Sequence, residues 1–91
     1  MHELGIASSI LDVVRTESAR YPGARVSKVG VRIGEYSGVD TESLRFCFEA
    51  LVKEGDLEPL ALDIEYCPAG DGARGDELDL RYLEIEQPET S

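Results

Sequence analysis

The chain is poor in the residues on which most protein chemistry is built: one histidine, no tryptophan, two cysteines, and nine basic residues against nineteen acidic ones in a length of 91. The formal charge of −10 repels phosphate backbones and anionic lipid, so neither nucleic acid nor membrane is an expected partner. Cys47 and Cys67 show no paired spacing, which leaves neither a disulfide framework nor a local metal-ligand pair. No run of about eighteen apolar residues occurs, and no basic stretch followed by an apolar core opens the chain. The expectation is a cytoplasmic protein with reduced thiols. One histidine and no poised nucleophile leave little for acid–base or covalent catalysis, so an enzyme is not expected.

What is present is clear periodicity in a chain that is 42% hydrophobic, consistent with a single folded domain over residues 1–91. From Leu4 to about Arg20, Leu4, Ala7, Ile10, Leu11 and Val14 recur at threes and fours, widened by Ile6 and Val13, and Tyr21-Pro22-Gly23 stops this helix. From Arg25 to Glu35, Val29, Val31 and Ile33 alternate with polar or small residues as in a strand; Val26 is out of phase, which a bulge near Ser27 or a covered second face explains. Asp40 is placed to cap a second helix over Thr41–Glu54, with Leu44, Cys47, Phe48 and Leu51 on its apolar stripe and Gly55 as its C′ residue. Cys47 reads there as a small buried side chain.

Leu60, Leu62, Ile64 and Tyr66 alternate as a second strand. A glycine-rich loop over residues 67–76 follows; it lacks the Lys-Ser/Thr and helix of a phosphate-binding loop. The third strand, about Glu77–Glu86, places Leu78, Leu80 and Tyr82 on one face before Leu83 and Ile85 shift the phase, and Gln87–Ser91 reads as a frayed tail. The fold class is α+β: two helices on one face of a three-stranded mixed sheet, in the order helix, strand, helix, strand, strand. The short connection between the second and third strands predicts an antiparallel pair, and the helical crossover permits a parallel one.

The single histidine stands second. The α-amino group of Met1, the amide of His2 and its imidazole close two fused chelate rings on one metal ion, and the fourth position falls to Glu3. Tetragonal N,O sets of this kind suit Ni(II) or Cu(II), whereas structural zinc wants a closed tetrahedron of N and S ligands. Glu3 also favours the positive end of the first helix, and that structural role needs no metal.

Met1-His2-Glu3-Leu4, Val29-Gly30-Val31-Arg32-Ile33-Gly34-Glu35, Leu44-Arg45-Phe46-Cys47-Phe48-Glu49, Gly75-Asp76-Glu77-Leu78 and Leu83-Glu84-Ile85-Glu86 together resemble the HypA/HybF family, the nickel-incorporation proteins of nickel–iron hydrogenase maturation. The resemblance implies Ni(II) held at Met1, His2 and Glu3. It also implies delivery to a GTPase partner and thence to the hydrogenase large subunit, or service to urease assembly. Family members normally carry a zinc lobe built from two Cys-x-x-Cys pairs between the second and third strands. Here only Cys67 lies in that interval, so no zinc is expected. A second reading keeps the fold and leaves Met1-His2-Glu3 inert: an interaction module that docks a maturation partner through its acidic strands. Exposed sheet edges in so small a chain also invite pairing with a second copy.

Overall fold

Alternation along β1 (Arg25–Gly34) puts Val29, Val31 and Ile33 on one side of the strand, and both helices settle on that side. A computed structural model describes residues 3–70, 72 and 74–86 of the chain; the tail read as frayed lies outside them. Around β1 the order is α1 (Glu3–Arg20), then α2 (Thr41–Glu54), β2 (Ala61–Cys67) and β3 (Leu78–Glu86). Ala7, Ile10, Leu11 and Val14 of α1 meet Leu44, Phe48 and Val52 of α2 over the valines of β1, with Leu60 and Leu62 closing the side. Phe48, Leu11, Ile33, Leu44 and Val29 are the largest fully buried side chains. Each contributes roughly 1.5–3 kcal/mol by leaving water. Leu4, expected on the buried stripe of α1, is 58% exposed, and the buried residues of the helix begin at Ala7.

The sheet is mixed, but its neighbours differ from expectation. Its order is β2-β1-β3, with β1 parallel to β2 and antiparallel to β3, and β2 and β3 do not pair. Charge fits this order. The open faces of β2 and β3 carry Asp63 and Glu65, and Asp79, Glu84 and Glu86, and like charges opposite each other destabilise a sheet. Strand β1 brings Arg25, Lys28 and Arg32 between them. Arg25 pairs with Glu86 at 2.6 Å, Lys28 with Glu84 at 3.8 Å, and Arg32 with Glu65 at 3.2 Å. These ion pairs are solvent-exposed and worth roughly 0–1 kcal/mol each, so they select the partner strand while apolar packing supplies the stability.

Two bulges set the faces. The register between β1 and β3 slips between Val26 and Lys28, which returns Val26 to the core and accounts for its phase. It slips again between Gly30 and Val31, opposite Arg81. Leu80 therefore keeps the helical side with Val31. Tyr82, expected beside it, crosses to the open face opposite Gly30. There the Tyr82 ring lies over Gly30, where a Cβ would collide with it, and its hydroxyl donates across β1 to Asp63 of β2. That hydrogen bond, with burial second, pushes the Tyr82 phenol up to about 12. At the end of α2, Gly55 caps the helix at φ −86°, ψ 3°, and Asp56 takes the left-handed turn at φ 55° instead of the expected glycine. An aspartate tolerates that region well enough to serve.

Replacing Gly30 by Ala displaces the Tyr82 ring and should lower unfolding free energy by about 1–3 kcal/mol in urea titrations. Adding Tyr82→Ala should make the glycine substitution nearly neutral, because its collision partner is gone.

Candidate metal site at the helix amino termini

An acidic side chain in the first turn of a helix answers its unpaired amides and positive end. Glu3 holds that position in α1 and Asp40 stands as the N-cap of α2. The two meet: Glu3 Oε2 accepts from the backbone N–H of Asp40 at 3.2 Å. Asp40 has extended dihedrals (φ −82°, ψ 111°), and its Oδ1 accepts from the amides of Glu42 at 3.0 Å and Ser43 at 3.2 Å. Both helices thus begin at one place, with one carboxylate at each positive end. Met1 and His2 lie outside the described residues, so of the three expected ligands Glu3 alone is placed. Among the described residues no three His, Cys, Asp or Glu side chains gather as a metal cluster.

The connector from Glu35 to Asp40 ties this corner to the loop between β2 and β3. The Glu35 amide donates to the Cys67 carbonyl at 2.9 Å, and the Glu35 carboxylate accepts from the Ala69 amide at 2.9 Å. The Tyr36 amide donates to the carbonyl of Gly75, whose φ of 92° and contact with the Tyr36 ring exclude any side chain. Glu77 closes the loop by accepting from the amides of Arg74 at 3.1 Å and Gly75 at 2.9 Å. Hydrogen bonding from its own amide, and then from those two, holds the Glu77 carboxyl below the ordinary carboxylate range against desolvation. Cys47 packs half-buried against the core, and Cys67 ends β2; both are free thiols.

Asp40 was legible as a cap from its place before an apolar stripe. Its contact with Glu3 joins residues 37 positions apart and has no local signal. Glu35 and Glu77, which hold the connector and the loop, gave none either.

A family model described as hydrogenase/urease nickel incorporation, metallochaperone, hypA matches residues 1–71. The chain belongs to the HypA family. The hydrogenase maturation factor HypA of Geotalea daltonii is 49% identical over 74 residues, covering 81% of this chain and 64% of that protein. That of Syntrophus aciditrophicus is 36% identical over 91 residues, covering 98% and 80%. The chain thus spans just under two thirds of the Geotalea relative. The solution structure of the Ni metallochaperone HypA from Helicobacter pylori superposes with a TM-score of 0.76 at 20% identity, over 97% of this chain and all of that one, a likeness of fold. Among the described residues no helix is long and apolar enough to cross a membrane.

Removing the Asp40 cap should lower stability by about 0.5–2 kcal/mol, measured as the urea midpoint of Asp40→Ala. Asp40→Asn should retain most of it, since the amide oxygen still accepts.

Proposed function

We propose that this protein is a cytoplasmic nickel metallochaperone whose cargo is held by Met1, His2 and Glu3. The observation that carries the reading is the family match, which begins at residue 1 and takes in the chain's only histidine. The Met1 amine, the His2 amide and imidazole, and the Glu3 amide supply a near-planar set of nitrogens. The Glu3 carboxylate, engaged with the Asp40 amide, supports this segment from the side and is not itself required as a donor. Clasping Glu3 to α2 fixes the first turn of α1 directly behind the proposed ligands. Micromolar affinity suits such a carrier.

The acceptors are a GTPase of nickel insertion and the hydrogenase large subunit, or a urease in its assembly. The protein acts as a carrier and not as a catalyst. The family's structural zinc does not fit the donors of this chain. A closed tetrahedral site needs four ligands, and Cys47 on α2 and Cys67 at the end of β2 are its only thiols.

Calorimetry of Ni(II) binding should register one site in the wild type and none in His2→Ala, with unchanged far-ultraviolet circular dichroism. Amine, amide and imidazole must shed protons to bind, so affinity should fall steeply between pH 8 and pH 5, through the ordinary α-amino and imidazole values of about 7.8 and 6.5. Undiminished binding at pH 5, or hydrogenase maturation surviving His2→Ala in cells, would favour the interaction module instead.

A further inference from the structure

We draw no further inference here: the strongest candidate, the apolar groove between α1 and the free edge of β3 that Ile6, Val13, Leu78 and Leu80 line, carries nothing, because Arg81, the one basic side chain of β3, is already held by Glu65 and nothing in the structure shows what covers the groove.

Discussion

Two acidic strands cannot comfortably lie side by side, and the architecture follows from placing a basic one between them. Strand β1 lies between β2 and β3 and sets Arg25, Lys28 and Arg32 beside the carboxylates of Glu86, Glu84 and Glu65. Once β1 is central, its valine side has to be roofed. The parallel step from β1 to β2 requires a crossover, which α2 supplies on that side, and α1 fills the rest. The ion pairs themselves are weak. Their effect is selective: they decide which edges meet, and burial of Phe48, Leu11 and Ile33 holds what they select.

The same arrangement builds the corner where the two helices begin. With both helices on one layer and both starting at the same end, the first turn of α1 reaches the cap of α2, and Glu3 takes the Asp40 amide. The connector that brings Asp40 there is fastened by Glu35 and Tyr36 to the loop between β2 and β3. The first turn of α1, the connector and the loop are therefore joined by hydrogen bonds across this end of the molecule. Among the described residues the loop between β2 and β3 is closed by Glu77, whose carboxylate accepts from the amides of Arg74 and Gly75.

Much of this was legible in the residues. Asp40 and the 3.6-residue stripe bounded α2 at Thr41 and Glu54, and the phase of Val26 pointed to a bulge or a covered second face near Ser27, of which the bulge forms. What escaped was non-local. Loop length alone pointed β3 toward β2, because a short connection says nothing of the charges on the strands it joins. Tyr82 was assigned to the core side, since the bulge at Arg81 that turns it outward depends on pairing with Gly30. The histidine at position 2 was conspicuous by its solitude, and its role with Met1 and Glu3 stays a proposal; the Glu3–Asp40 clasp needed the fold.

The central claim is that a chelate begins at the amino group of Met1. It is tested most directly by titrating Ni(II) into the chain as written and into the same chain with a single glycine ahead of Met1. The account requires the extra residue to abolish the nitrogen-rich site, seen as loss of the square-planar absorption band, while the urea midpoint stays unchanged. Equal affinity and an identical spectrum in the extended protein would contradict it.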